Sequence, residues 1–120
     1  MQKENVIKEK TFSFALLIID LYKICKTQNE FILSKQLLRS GTSIGANVQE
    51  ALAAFSQKDF LYKMSIASKE ARETQYWIEL LSKSKMVEFN EEKYTKEINE
   101  IVNVLTSIVK TLQQKLNNKT

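Results

Sequence analysis

The stretch RSGTSIGANVQEA, residues 39–51, contains both glycines of this 120-residue chain, Gly41 and Gly45, and the chain has no proline. Around them, from Leu37 to Val48, apolar and small residues alternate spacings of four and three, which is the spacing of one helix face. A glycine inside a helix costs about 1 kcal/mol relative to alanine. Two glycines four residues apart in a helix therefore need a structural reason.

We expect the two glycines to open a groove on one side of the helix, because residues four apart lie above one another. A neighbouring helix backbone, or a bulky side chain such as Trp77 or Tyr76, is expected to pack into this groove and to offset the helix penalty through contact energy. A kink or a frayed turn at the glycines is the alternative.

Three other segments have helical periodicity, and no strand-like alternation competes with it. The four predicted helices span about residues 5–26, 34–55, 57–85 and 91–116. Helices of this length with short connections predict an all-α fold, an antiparallel up-down-up-down four-helix bundle with left-handed crossings. A chain of this length suits a single domain, residues 1–120.

Each predicted helix carries one apolar stripe that we expect to face the core. Ser34, Ser56 and Asn90 are the predicted N-caps of the second, third and fourth helices, and Asp59 completes a loose capping box after Ser56. The predicted core residues, helix by helix, are Phe14, Ile18, Leu21 and Cys25; Leu37, Ile44, Val48, Ala51 and Phe55; Phe60, Met64, Ala67, Ala71, Thr74, Ile78 and Leu81; and Tyr94, Ile98, Ile101, Leu105, Ile108 and Leu112.

Polar side chains are expected to meet across the seam between the second and third helices. An antiparallel turn between these helices places Arg39 opposite Glu73 and Ser43 opposite Glu70. We predict a salt bridge from Arg39 to Glu70 or Glu73, with side-chain hydrogen bonds from Asn47 nearby. Such a network would fix the register of the two helices and would not perform chemistry.

The first and third helices carry more apolar surface than one bundle core has room for. Because these helices are diagonal in the bundle, their outer stripes form two unlike patches, which favours a heterologous contact between copies that closes into a ring. A broad core that reaches around both helices is the alternative. The stripes are Phe12, Leu16 and Ile19 on the first helix, and Tyr62, Ile66, Trp77 and Leu80 on the third.

The composition argues against an enzyme. The chain has no histidine, which removes the commonest general base and the commonest metal ligand. Cys25 lies on the core stripe and is expected to be a small buried hydrophobe, while Glu70 and Glu73 lack the second carboxylate pair of a metal site. The segment GTSIG lacks the Lys-Ser or Lys-Thr of a phosphate-binding loop. We therefore expect no catalytic site, no metal and no cofactor.

The charge and the cysteine content limit which partners and which cellular location the protein can have. The net charge of +4 permits nucleic-acid contact, although interspersed charges of both signs are also typical of a solvated helical surface. The single cysteine forms no internal disulfide and no leader pattern opens the chain, so we predict a cytoplasmic protein. The most apolar run, residues 12–25, is interrupted by Asp20 and Lys23 and is too short to span a membrane.

Residues 34–81 closely resemble the bacterial four-helix-bundle family of 23S rRNA-intervening-sequence proteins. The family pattern I-A-x-K-E-A-x-E-T-x-Y-W is nearly complete from Ile66 to Trp77, and the chain departs from other members at Ala51, where they have glycine. A second family pattern, Q-L-x-R-x-x-x-S-I-x-x-N-[IV]-x-E, falls on Gln36, Leu37, Arg39, Ser43, Ile44, Asn47, Val48 and Glu50.

The resemblance implies a small bundle that is often assembled as a cyclic pentamer and is encoded within inserts of large-subunit ribosomal RNA genes. A related branch is the accessory protein of diversity-generating retroelements. The resemblance to that branch implies RNA or DNA and a reverse transcriptase as partners of a basic five-fold barrel.

Our hypothesis from the sequence is a non-enzymatic, ring-forming scaffold that contacts RNA or DNA through basic surface residues. A protein–protein adaptor with no nucleic-acid role is the alternative, and a bundle that binds a ligand or metal in a polar internal cavity is a third class. The candidate nucleic-acid contacts are Lys58, Lys63, Lys69 and Lys110.

Overall fold

A computed structural model gives the structure of residues 2–118, with side chains described for residues 6–118. The described chain forms four helices, α1 (Gln2–Thr27), α2 (Leu33–Leu52), α3 (Gln57–Ser84) and α4 (Glu91–Asn118). The predicted all-α four-helix fold is confirmed. The bundle measures 52 × 22 × 22 Å, so its cross-section is nearly square.

Each helix packs on two neighbours. The contacts join α1 to α2, α2 to α3, α3 to α4 and α4 to α1, and within the described residues the diagonal helices make no close backbone contact. Paired residues run in opposite directions, since Arg39 of α2 meets Glu70 of α3 while Glu50 further along α2 meets Lys63 earlier on α3. These contacts are consistent with up-down-up-down topology. The left-handed crossing stays a prediction.

The core consists of the predicted stripes, with one error. Every predicted stripe residue of α1 is buried, and so are the stripe residues of α3 from Met64 to Leu81. Phe60 and Leu112 are partly buried against the core. The prediction for Phe55 was wrong: α2 ends at Leu52, so Phe55 lies in the connection to α3 with its side chain 103% exposed.

The start of α2 differs from the prediction. Ser34 is not the N-cap, because the helix begins at Leu33 and Ser34 is buried inside its first turn. The carboxylate of Glu30 takes this role: it accepts hydrogen bonds from the backbone N–H groups of Ile32 at 3.0 Å, Leu33 at 2.9 Å and Ser34 at 2.7 Å. An acidic group at this helix end also interacts favourably with the helix dipole.

The other two predicted caps are present. The Ser56 hydroxyl oxygen accepts a hydrogen bond from the backbone N–H of Asp59 at 3.1 Å, which starts α3. The Asn90 side-chain oxygen accepts one from the backbone N–H of Lys93 at 3.4 Å, which starts α4. These caps satisfy backbone donors that have no partner within the helix.

The two glycines allow α1 to pack closely on α2. A Cβ added at Gly41 would lie 2.8 Å from Cγ1 of Ile18, and one added at Gly45 would lie 3.3 Å from the carbonyl oxygen of Thr11. The groove predicted at the glycines is therefore filled by the neighbouring helix, through a side chain at one position and the backbone at the other. Because α2 runs unbroken from Leu33 to Leu52, the alternative of a frayed turn at the glycines is wrong. The alternative of a kink stays a prediction.

The two aromatic residues proposed for this groove are elsewhere. Tyr76 and Trp77 lie on α3 and contact each other edge to face, with ring centroids 5.1 Å apart. The prediction that either fills the glycine groove was wrong, because the diagonal arrangement of α1 and α3 leaves the glycine side of α2 to α1.

Candidate functional site

The outer stripe of α1 borders an open apolar groove. The side chains of Phe12 and Leu16 are 61% and 52% exposed, so the alternative of a broad core that buries this stripe is wrong. The groove has a volume of about 330 Å³ and lies between α1 and α2. It remains open because the α2 wall has small side chains. Its main lining residues are Phe12, Leu16 and Ile19 from α1 and Thr42, Gly45 and Ala46 from α2.

The outer stripe of α3 is a second apolar patch. Tyr62 is 61% exposed and Leu80 is 37% exposed, whereas Ile66 and Trp77 are half-buried. The indole Nε1 of Trp77 donates a hydrogen bond to the Glu73 carboxylate at 3.0 Å, which holds the ring against α3 and leaves part of its face to solvent. The patch therefore has exposed apolar side chains near its two ends, Tyr62 and Leu80, and the charged side chains of Lys69 and Glu73 between them on the same helix face.

The ion pair expected across α2 and α3 is present. Arg39 Nη1 donates to Glu70 at 3.1 Å, and Nη2 donates to the Glu73 carboxylate. Glu73 also receives the Trp77 indole N–H, so this network links α2 directly to the α3 patch. The Arg39 side chain is about half exposed, which limits what the pair contributes to stability.

Ser43 and Asn47 do not reach across the seam. The Ser43 hydroxyl donates to the Arg39 carbonyl at 2.6 Å and the Asn47 amide donates to the Ser43 carbonyl at 2.9 Å, so both bond along α2 itself. A hydrogen bond that sequence reasoning missed joins the helices instead: Thr74 Oγ1 donates to Ser40 Oγ at 2.9 Å, and both side chains are fully buried. The presence of Thr74 in an otherwise apolar seam was the available signal.

The two apolar patches lie on adjacent sides of the bundle, and α2 forms the edge between them. On one side, Phe12 and Leu16 of α1 share a groove with α2. On the other side, Glu73 and Trp77 of α3 are connected to Arg39 of α2. The diagonal helices thus present their patches in different directions, and each patch lies on the side of its helix that is nearer to α2.

The candidate nucleic-acid lysines lie on two helices, α3 and α4. Lys58 and Lys69 are exposed on α3, and Lys110 is exposed on α4. The ammonium of Lys63 is engaged within the bundle, because it donates to Glu50 at 2.8 Å, and this hydrogen bond raises the pKa of the lysine. Lys63 is therefore a weaker candidate for a phosphate contact than the other three.

Cys25, Glu70 and Glu73 are the described ionisable side chains considered above for chemistry. No group of three metal-ligating side chains occurs in the part of the chain that the structure describes. Burial, with a smaller contribution from Glu30, raises the pKa of the Cys25 thiol to about 11, so this cysteine is a thiol at neutral pH. Glu70 and Glu73, which were considered above as half of a metal site, both accept hydrogen bonds from Arg39.

Within the described residues, no helix is both long enough and apolar enough to cross a membrane.

These features define a small all-α four-helix-bundle protein with two exposed apolar faces. A family model described as 23S rRNA-intervening sequence protein matches residues 3–107, and the chain belongs to this family. The resemblance stated from the sequence is thereby confirmed.

The solved structures that are similar to the chain include the crystal structure of a protein of unknown function from the S23 ribosomal protein family of Bacteroides thetaiotaomicron VPI-5482. It is 48% identical to the chain, with a TM-score of 0.85 over 90% of this chain and 98% of the other. The search of curated proteins found no match.

Proposed function

We propose that the chain is a non-enzymatic subunit of a cyclic homo-oligomer that serves as a scaffold. The observation that carries this proposal is the exposure of two unlike apolar patches on one small bundle, around Phe12 and Leu16 and around Tyr62 and Leu80. Large apolar side chains exposed side by side, as Phe12 and Leu16 are one turn apart on α1, mark an interaction surface. The family resemblance supports a ring of five copies.

The contact between copies is heterologous, because the patches differ in shape. The α1 patch borders a concave groove with small residues on one wall, whereas the α3 patch presents the ring of Tyr62 and the side chain of Leu80. Side chains exposed on a helix fit a groove better than they fit one another, so the α3 patch of one copy docks on the α1 patch of the next. Repetition of this contact closes a ring when the rotation allows it.

Mixing two variants, each with one disabled patch, tests the heterologous contact. Leu16→Asp disables the α1 patch and Leu80→Asp disables the α3 patch, because each buries a charge in the contact. Each variant alone should sediment as a single chain. An equimolar mixture should form a complex of two chains and nothing larger, because only one intact pair of faces remains between the two variants.

Asn103→Asp on the exposed face of α4 is the matched control and should assemble as the parent does. Circular dichroism of each variant checks that helix content is unchanged. A Leu16→Asp or Leu80→Asp variant that still assembles alone would contradict the proposal, since its remaining patch would then be binding itself.

We also propose that the scaffold contacts RNA or DNA through lysines, chiefly Lys110, which is exposed on α4 away from both patches. Lys58 and Lys69 are exposed on the α3 face that carries the patch and contribute where the contact between copies leaves them open, and Lys63 is a lesser contributor. The net charge of +4 and the family resemblance support this second role. A protein–protein adaptor, with a reverse transcriptase as one partner, is the alternative. The single cysteine supports a cytoplasmic location for either role.

The non-enzymatic part of the proposal is supported by the absence of histidine from the sequence and by the state of the one cysteine. Cys25 is buried in the core, and its raised pKa keeps it from acting as a thiolate nucleophile.

A further inference from the structure

We infer that a groove between α3 and α4 binds an unpaired nucleotide of a single-stranded nucleic acid, with the base stacked on the ring of Tyr76. The inference rests on the proposed nucleic-acid contact and adds a site and a class of strand to it. An exposed aromatic ring, two amides and two cations lie together along this groove, which has a volume of about 450 Å³. The lining residues that carry the argument are Arg72, Gln75, Tyr76, Glu79 and Lys83 of α3 and Asn99 of α4.

Tyr76 supplies a flat surface for a base. Its side chain is 55% exposed, and its ring contacts Trp77 edge to face with centroids 5.1 Å apart. This contact fixes the direction of the ring, so stacking of a base costs little side-chain freedom. An aromatic ring accepts an unpaired base of any identity, whereas a base inside a duplex is already stacked on its neighbours. Tyr76 therefore favours a single strand over a duplex.

An amide pair lies beside the ring. Gln75 Nε2 donates a hydrogen bond to Asn99 Oδ1 at 2.7 Å, which joins α3 to α4 in the wall of the groove. The bond uses a donor of Gln75 and the acceptor of Asn99. The other half of each amide, an acceptor at Gln75 Oε1 and a donor at Asn99 Nδ2, can pair with the edge of a splayed base.

Two cations flank the aromatic ring along α3. Arg72 donates to the hydroxyl of Thr106 at 2.9 Å, a neutral partner that leaves the guanidinium charge available to an anion. Lys83 is 79% exposed and lies 3.9 Å from the exposed carboxylate of Glu79, which is a weak pair in water. The helix from Arg72 to Lys83 spans roughly 16 Å with Tyr76 between them. The phosphates on either side of a base stacked on Tyr76 therefore each meet a cation.

The groove leads toward the lysine already proposed to contact nucleic acid. Lys110 is exposed one helical turn beyond Thr106 on α4, and residues four apart share a helix side. A strand that passes Arg72 therefore reaches Lys110. The groove lies on the flank of α3 that faces α4, whereas Trp77 and Glu73 connect the α3 patch to α2. Docking of the patch on another copy therefore leaves the groove open.

Fluorescence anisotropy with a labelled single strand of about six nucleotides tests the inference. Tyr76→Ala should weaken binding by roughly 5- to 100-fold, the effect of losing one stacked base. Phe55→Ala is the matched control, because it removes a fully exposed ring in the connection between α2 and α3, and its affinity should equal that of the parent. Sedimentation and circular dichroism check that both variants assemble and fold as the parent does.

Two further readings separate stacking from charge. Tyr76→Ala should leave the salt dependence of single-strand binding and the affinity for a duplex of the same length unchanged, because the ring carries no charge and a paired base does not reach it. Arg72→Gln should instead lower the salt slope for the single strand by about 0.7, the contribution of one phosphate contact. This variant also tests the groove if Tyr76→Ala disturbs folding or assembly.

Photo-cross-linking of the unmodified chain locates the base directly. A single strand that carries 5-bromouracil should form an adduct on the tryptic peptide 73–83, which contains Tyr76, and fragmentation should assign the adduct to that residue. An adduct confined to other peptides would overturn the inference, and so would equal affinities of Tyr76→Ala and Phe55→Ala for the single strand.

The parent separates the two possible failures. If it binds nucleic acid at low salt but prefers the duplex, or if a nucleoside monophosphate binds as tightly as the strand, the inference is wrong and the proposed nucleic-acid contact stands. If the parent binds neither a single strand nor a duplex at low salt, both the inference and the nucleic-acid contact on which it rests are contradicted.

Discussion

Gly41 of α2 lies against the fully buried side chain of Ile18 on α1, so closely that a Cβ at position 41 would be 2.8 Å from Cγ1 of Ile18. Ile18 is branched at Cβ and enclosed by the core, so it has little freedom to move away. The close contact explains why the chain tolerates the helix penalty of a glycine at this position.

We predict that Gly41→Ala lowers the free energy of unfolding by up to about 2 kcal/mol, because an overpacking cost of about 1–3 kcal/mol exceeds the roughly 1 kcal/mol gained in helix propensity. Urea unfolding measures the change. The control is the same substitution in an Ile18→Ala background, where the space is open and Gly41→Ala should stabilise. A stabilised Gly41→Ala single variant would show that α1 and α2 are not in this contact.

Glu30 should make stability depend on pH. Its burial opposes ionisation, but the backbone N–H groups of Leu33, Ser34 and Ile32 outweigh burial and lower the pKa of the carboxyl from its ordinary 4.5. A lowered folded pKa contributes stability above the unfolded value, and this stability is lost as the pH falls through the folded pKa. We therefore expect the parent to lose stability below about pH 4.5.

The Glu30→Ala variant isolates this contribution. At pH 7 it should be less stable than the parent by about 1–2 kcal/mol, the usual cost of a lost N-cap. The difference between the two proteins should shrink as the pH falls from 4.5 to below the folded pKa, which urea unfolding at several pH values measures. A difference that stays constant over this range would mean that the charge of Glu30 does not matter.

The two polar links between α2 and α3 should differ in energy. Thr74→Val removes the buried hydrogen bond to Ser40. It should lower the free energy of unfolding by about 1–2 kcal/mol, because the buried Ser40 hydroxyl is left with a poorer partner. Arg39→Ala should cost less than about 1 kcal/mol, since its ion pairs are partly exposed. Thermal unfolding ranks the two variants, and an Arg39→Ala variant that loses more stability than Thr74→Val would reverse this ranking.

Nucleic-acid binding, if it uses the exposed lysines, should weaken steeply with salt. Each phosphate contact contributes a slope of about 0.9 in a plot of log affinity against log salt for duplex DNA. Lys110→Gln should reduce the slope by about 1 and Lys63→Gln by less, because Glu50 already holds that ammonium. Fluorescence anisotropy with labelled DNA and RNA measures the slope; undetectable or salt-independent binding favours the adaptor.

The fold was largely predictable because the helical periodicity is regular and uninterrupted by proline. The stripe from Phe14 to Cys25 is buried as expected, and the register that places Arg39 opposite Glu73 follows from one short antiparallel turn. Such features depend on spacing along the chain alone. Phe55 was misplaced because a helix end is set by local capping and not by the apolar repeat.

The candidate site was less predictable because it depends on which helices are neighbours. The sequence showed more apolar residues than one core can bury, such as Phe12 and Tyr62. Only the packed bundle shows that both patches lie on the sides of their helices that are nearer to α2. The cap by Glu30 also escaped prediction, since a carboxylate that reaches three consecutive backbone N–H groups requires a particular turn geometry.

The mass of the unmodified chain in solution, measured by sedimentation equilibrium over a wide concentration range, is the most direct test of assembly through the two apolar patches. We predict one closed species at a fixed multiple of 13.9 kDa, five-fold on the family resemblance, with no larger aggregates. A species of 13.9 kDa that persists at the highest concentration would contradict assembly and the scaffold role that depends on it.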